Sequence, residues 1–209
     1  MLFRSRRIAA NIEGLVTPSR LWSRLEVLER PCPVPREAGV YAWYFRRVPP
    51  GVPAEDCRRA HGATLLYVGI SPKRSPMNGA SPSRQRLLNR VRYHFRGNAA
   101  GSTLRLTLGC LLADSLDIGL RRLGSGQRLT FADGEIQLSE WMGQNAFVCW
   151  LPAEEPWLLE SQLISELSLP LNLQGNERHS FHRELSALRK HHRLRAEQLP
   201  VWRESTARQ

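Results

Sequence analysis

The chain has 209 residues, 42% of them apolar, which suffices for one domain with a substantial core and excludes wholesale disorder. With 30 Lys and Arg against 19 Asp and Glu, the net charge is +11 and the pI near 10.6, which favours a polyanionic partner, a phosphate backbone before an anionic membrane. There is no run apolar enough to span a bilayer, no signal-peptide core behind Arg4, Arg6 and Arg7, and no CxxC or zinc spacing among the 4 cysteines, so a cytoplasmic protein with reduced thiols is expected.

Residues 18–28 carry Leu21, Trp22, Leu25 and Leu28 at helical spacing and predict an amphipathic helix. Pro31, Pro33 and Pro35 then force extended chain. Residues 39–45, rich in aromatics, read as a strand, and 65–69 as a second, with a Pro-Pro-Gly loop and a polar stretch between them. A loop over 71–82, rich in Ser, Pro and Gly, leads to a helix opened by Pro82 and running to about Phe95. Residues 103–113 predict a further helix, Gly124-Ser-Gly126 a turn, 135–142 a helix and 146–151 a third strand. Pro156 opens a helix that stops near Leu169-Pro170. The last helix, about 182–195, is strongly basic and has a thin docking stripe of Phe181, Leu185 and Leu188. No repeat and no composition shift marks a boundary, so a single domain over 1–209 is expected: a core at about 37–175, a helical extension over 1–36 and a basic C-terminal helix in 176–209. Strands followed by packed helices in this order make an α+β fold.

Two helices carry polar groups where apolar ones belong. At about 100° per residue, Trp157, Leu159, Leu163, Ile164 and Leu167 share one half of the wheel, and Glu160 falls among them, roughly 20° from Leu167. A carboxylate in that setting costs several kcal/mol unless a cation pairs with it, so Glu160 faces either an Arg in a structural ion pair or a metal. On the helix ending at Phe95, Arg90 and His94 are four apart on one flank of a stripe formed by Leu87, Leu88, Val91 and Phe95. Such a pair suits a phosphate, or simply a solvated flank.

Five features in fixed order resemble the GIY-YIG nuclease family. Gly39-Val40-Tyr41 and Tyr67-Val68-Gly69 are similar to its two strand motifs, with Val for Ile in each. Arg90 and His94 resemble the Arg and the His or Tyr of its first helix, Glu160 its metal-binding Glu, and Pro170-Leu171-Asn172 its Pro-x-Asn. The match spans about 39–172. Two departures stand out: the tyrosines are 26 residues apart, a long connection found in some restriction-enzyme members, and residues 97–145 form an insertion longer than in minimal members.

The resemblance implies a small, mostly antiparallel three-stranded sheet flanked by helices, with a helical insertion. It further implies a metal-dependent endonuclease acting on double-stranded or branched DNA with one divalent ion, Mg²⁺ or Mn²⁺. Glu160 would hold the ion and Arg90 the non-bridging oxygens. Tyr41 would take a proton from the attacking water, Tyr67 orient water or phosphate, His94 assist proton transfer or hold a phosphate, and Asn172 position the site. Lys73, Arg74, Arg189 and Lys190 are candidate backbone contacts. Arg121, Arg122 and Arg128, in the insertion, either touch nucleic acid or belong to structural elaboration. The rival expectations are a DNA-binding protein that does not cut and, more remotely, a basic membrane adaptor. No heptad pattern specifies an oligomer.

Overall fold

The computed structural model describes residues 12–73 and 85–203. Two short helices, α1 (12–16) and α2 (Arg24–Leu28), precede strands β1 (Gly39–Phe45), β2 (Arg59–Ala60) and β3 (Ala63–Ser71). Helix α3 (Leu87–Arg96) follows, then α4 (Thr103–Leu111), α5 (Ala113–Leu116), β4 (Arg121–Leu123), β5 (Arg128–Thr130) and α6 (Gly134–Asn145). Strand β6 (Ala146–Pro152), α7 (Pro156–Glu166) and α8 (His182–Gln198) complete the order. The main sheet runs β2-β3-β1-β6 and is antiparallel throughout. Among the described residues no helix is long and apolar enough to cross a membrane, and all four cysteines are free.

Strand β1 is buried along its whole length because both faces of the sheet are covered. Side chains alternate, so Tyr41, Trp43 and Phe45 enter one apolar cluster while Val40, Ala42 and Tyr44 enter the other. The first cluster gathers residues of α3, α4, α6 and α8, such as Phe95, Leu104, Leu138 and Leu185. The second is filled by Ile12 and Leu15 of α1 and by Leu159 and Leu163 of α7.

Four expectations need correction. The sheet has four strands, because two residues too few to show a periodicity pair at its edge as β2. The insertion is not purely helical: the Gly124–Gly126 turn joins β4 and β5 in a separate hairpin. The helix foreseen over 18–28 begins only at Arg24, where Ser23 and Glu26 form a reciprocal capping box. Before it, Trp22 exchanges backbone hydrogen bonds with Val148 and stacks on Trp150, and Leu25, assigned to the apolar side, is 69% exposed. The helix foreseen from Pro82 starts at Leu87; residues 74–84 lie outside the described residues, and Arg74 with them.

After α7 the chain returns along the free edge of β3. The Leu171 amide donates to the Leu66 carbonyl at 3.1 Å. The Asn172 side chain then satisfies both backbone groups of Val68, accepting from its N–H and donating to its carbonyl, each at 2.9 Å. This closes an edge that would otherwise present unpaired polar groups. It also fixes α7 relative to the strand that carries Tyr67 and Gly69.

Candidate active site

Tyr41 and Gly69 are cross-strand partners on β1 and β3. The tyrosine ring lies over the glycine: a Cβ at residue 69 would stand 2.6 Å from the Tyr41 hydroxyl. Gly39 has a similar steric reason, since a Cβ there would collide with the Leu151 carbonyl and stand 2.7 Å from Leu87 Cδ1. Bare backbone at these two positions lets the Tyr41 ring settle on β3 and α3 approach β1.

The Tyr41 hydroxyl, in a side chain only 1% exposed, meets both polar residues of α3. Arg90 Nε donates to it at 3.3 Å, and His94 Nε2 is 2.9 Å away. Arg90 Nη1 donates to the Gly101 carbonyl at 2.7 Å, which locks the guanidinium and leaves Nη2 without a partner among the described residues. His94 is fully buried, with Nδ1 2.7 Å from Ser102 Oγ. Ser102 is the N-cap of α4, and its oxygen accepts the Arg105 amide at 3.1 Å.

Burial first, then Arg90 and Arg105, pushes the His94 pKa well below its ordinary value, so the ring is neutral. Through its two ring nitrogens His94 links the Ser102 hydroxyl to the Tyr41 hydroxyl. Tyr41 Oη thus accepts from a permanent cation, Arg90, and shares a hydrogen bond with His94 Nε2. Burial outweighs Arg90 and holds the phenol above its usual range, so the free protein keeps it protonated.

The cleft beside Tyr41 encloses about 990 Å³. Tyr67 lies on the same sheet face, 3.4 Å from Thr103 Oγ1, its phenol also raised by burial. Leu159 buries α7 against the sheet, and the next residue, about 100° round the helix, turns Glu160 to the cleft. Glu160 is half-buried and makes no hydrogen bond or ion pair among the described residues, so the structural ion pair left open from sequence is not formed there. Burial pushes its pKa up to about 7, with Lys73 drawing it back. Helix α8 turns Arg189, Lys190 and Arg193 to the same cleft. Arg189 is half-buried with no hydrogen-bonding partner among the described residues, and burial followed by Arg193 lowers its pKa.

Tyr41, Tyr67, Arg90, Glu160, Asn172, Lys73, Arg189 and Lys190 therefore line one cleft, with His94 behind Tyr41. Arg121, Arg122 and Arg128 do not reach it. Arg121 and Arg122 donate to the Pro200 and Leu199 carbonyls at 3.1 and 2.9 Å, holding the hairpin to the end of α8. Sequence reasoning missed Gly101, Ser102 and Thr103. A serine before a helix signals an N-cap, but nothing local shows that its hydroxyl also holds His94. It also missed Arg105, 0% exposed, whose guanidinium is bonded to Glu135 at 2.6 Å and to the His94 carbonyl at 3.3 Å.

Among the described residues no group of three or more His, Cys, Asp or Glu forms a cation cage. A single carboxylate facing a wet cleft suits Mg²⁺ or Mn²⁺, which keep several waters, and not a tetrahedral zinc site. A family model, the GIY-YIG catalytic domain, matches residues 39–191, from the first residue of β1 into α8. No curated protein and no solved structure gives a match.

Proposed function

The chain belongs to the GIY-YIG catalytic domain family, and from that premise we propose that it is a metal-dependent endonuclease that hydrolyses a phosphodiester bond in DNA. Family membership by itself carries nuclease activity of the endonuclease kind and a nucleic-acid substrate. The finer reading is supported by one observation above all. A tyrosine hydroxyl held by Arg90 and His94 shares its cleft with a half-buried carboxylate that makes no ion pair among the described residues.

Hydrolysis needs a water nucleophile, neutralised charge on the phosphorane-like transition state and help for the leaving oxygen. A divalent ion held by Glu160, Mg²⁺ or Mn²⁺, would supply Lewis-acid stabilisation of that charge. Arg90 Nη2, without a partner among the described residues, would take the non-bridging oxygens, with Nε and Nη1 already fixed. Tyr41, having given its own proton through the cleft to solvent, takes the proton of the attacking water as a phenolate, an anion that Arg90 Nε stabilises by donating to it. Tyr67 orients water or phosphate. Asn172, whose amide is spent on Val68, is a positioning residue. Lys73, Arg189 and Lys190 take neighbouring phosphates.

The test is cleavage of a supercoiled plasmid and a panel of branched DNAs with Mg²⁺ or Mn²⁺, comparing wild type with Glu160→Ala. Cutting by wild type alone is expected. Undiminished cutting by Glu160→Ala would overturn the metal role. Salt-sensitive binding without cutting by wild type would leave a DNA-binding protein on a nuclease fold.

A further inference from the structure

The wall that carries Glu160 has an apolar lip. Trp157, one turn before Glu160 on α7, packs in part on the second apolar cluster and also lines the cleft, and its neighbour Leu158 is 47% exposed. Among the described residues Trp157 has no aromatic partner and no cation over its ring, whereas Trp22 stacks on Trp150 and Trp43 packs edge-on against Phe95. On another wall of the same cleft, α8 supplies Arg189 and Arg193, neither of them in an ion pair among the described residues.

A flat apolar ring and a pair of unneutralised guanidiniums, placed on two walls around one carboxylate, ask for a ligand with a flat apolar face and an anionic edge. A nucleotide has both, its base for the ring and its phosphate for the arginines. Paired, stacked DNA offers only its backbone to such a cleft and leaves Trp157 against sugar and water. The volume of about 990 Å³ is that of a small-ligand site and suits a nucleotide or two.

Resting on the nuclease reading above, we infer that the cleft takes an unstacked nucleotide, with its base on Trp157 and its phosphate toward Arg189 and Arg193. The enzyme accordingly selects strands unpaired or mismatched at the cut site. An extruded base costs least where pairing is already lost, and this is the source of the selectivity.

The experiment places one labelled scissile position in a duplex, a flap and a mismatch of the same sequence. Cleavage is measured for wild type, Trp157→Ala and Trp157→Phe. Binding is measured separately in a Glu160→Gln background, with the flap carrying either an intact base or an abasic residue at the cut site. Wild type is expected to cut the flap and mismatch at least about tenfold faster than the duplex. Trp157→Ala should lower kcat/KM on the flap about 10-fold to 100-fold, the worth of one base–aromatic stack, and Trp157→Phe should restore most of it. In the binding arm the intact base should tighten the complex about tenfold, and Trp157→Ala should erase that difference. A purely structural tryptophan would weaken intact and abasic substrates alike, and that result overturns the inference. With Trp157 intact, the intact-against-abasic contrast does not depend on the Trp157 variants folding, and Trp157→Phe controls for the fold. Equal cutting of all three DNAs overturns this inference alone; no cutting of any DNA by wild type overturns the nuclease reading with it.

Discussion

Replacing Glu160 by glutamine should stabilise the protein at alkaline pH while removing its response to metal. A carboxyl whose pKa rises from 4.5 to about 7 on folding binds its proton more tightly in the folded state. Stability relative to the glutamine variant is therefore fully present below pH 4.5, is lost as pH climbs through about 7, and is flat above. At about 1.4 kcal/mol per pH unit the ceiling is about 3 kcal/mol, and water reaching the half-buried group from the cleft lowers this to about 2 kcal/mol. For a chain of this length that is a rise in Tm of about 4–8 °C at pH 8, shrinking to less than half at pH 5. Thermal melts of both proteins at the two pH values, with and without Mn²⁺, measure it. Mn²⁺ should raise the Tm of wild type only. A variant no more stable than wild type at pH 8, or a gap that does not change with pH, would refute the argument that Glu160 is a charge lacking its cation.

Gly69→Ala puts a methyl 2.6 Å from the Tyr41 hydroxyl and must move the ring off Arg90 and His94. The cleavage rate should fall at least about tenfold, as expected for a misplaced proton-transfer group, and the metal-induced rise in Tm should persist because Glu160 is on another element; unchanged kcat would count against Tyr41. Arg90→Lys keeps the charge but cannot reach Tyr41, Gly101 and a phosphate from three nitrogens at once. We expect kcat to fall on the order of 10²-fold with a smaller change in KM, measured by steady-state cleavage. Glu135→Ala strands a fully buried Arg105 and unpairs the Ala99 and Phe131 amides. Urea unfolding should show a loss of about 3–5 kcal/mol, and a loss below 1 kcal/mol would mean the insertion does not brace α3.

The proposed reaction draws on groups whose ionisation burial has shifted. Burial keeps Tyr41 protonated and His94 neutral in the free protein, and the same burial leaves Glu160 poorly ionised near neutral pH. Tyr41 and Glu160 each resist the charge that the proposed chemistry asks of them until an anionic substrate and a cation enter the cleft. Groups held away from their comfortable state in this way are commoner at working sites than in structural cores.

What the chain determines by itself is the set of elements and the oddity of a few residues. The β1 stretch reads as a strand because six consecutive aromatic and aliphatic side chains, Val40 to Phe45, can be satisfied only with both faces covered. Glu160 stands out because a carboxylate on an apolar helical face must find compensation, a local argument that needs no fold. The same local logic failed over residues 18–23. Leu21 and Trp22 have helical spacing, but a partner strand 126 residues away from Trp22 offers backbone bonds and a stacking ring. Only the tertiary structure decided that Tyr41 and Arg90, 49 residues apart, meet at one oxygen, that Ser102 of the insertion bonds His94, and that Asn172 ties α7 to β3. Spacing along a chain reports which face of one element a residue occupies. Which face of another element it meets follows from how buried area and hydrogen bonds are satisfied across the whole fold, and here that placed Trp157 beside Glu160 on a wall of a cleft that α8 completes.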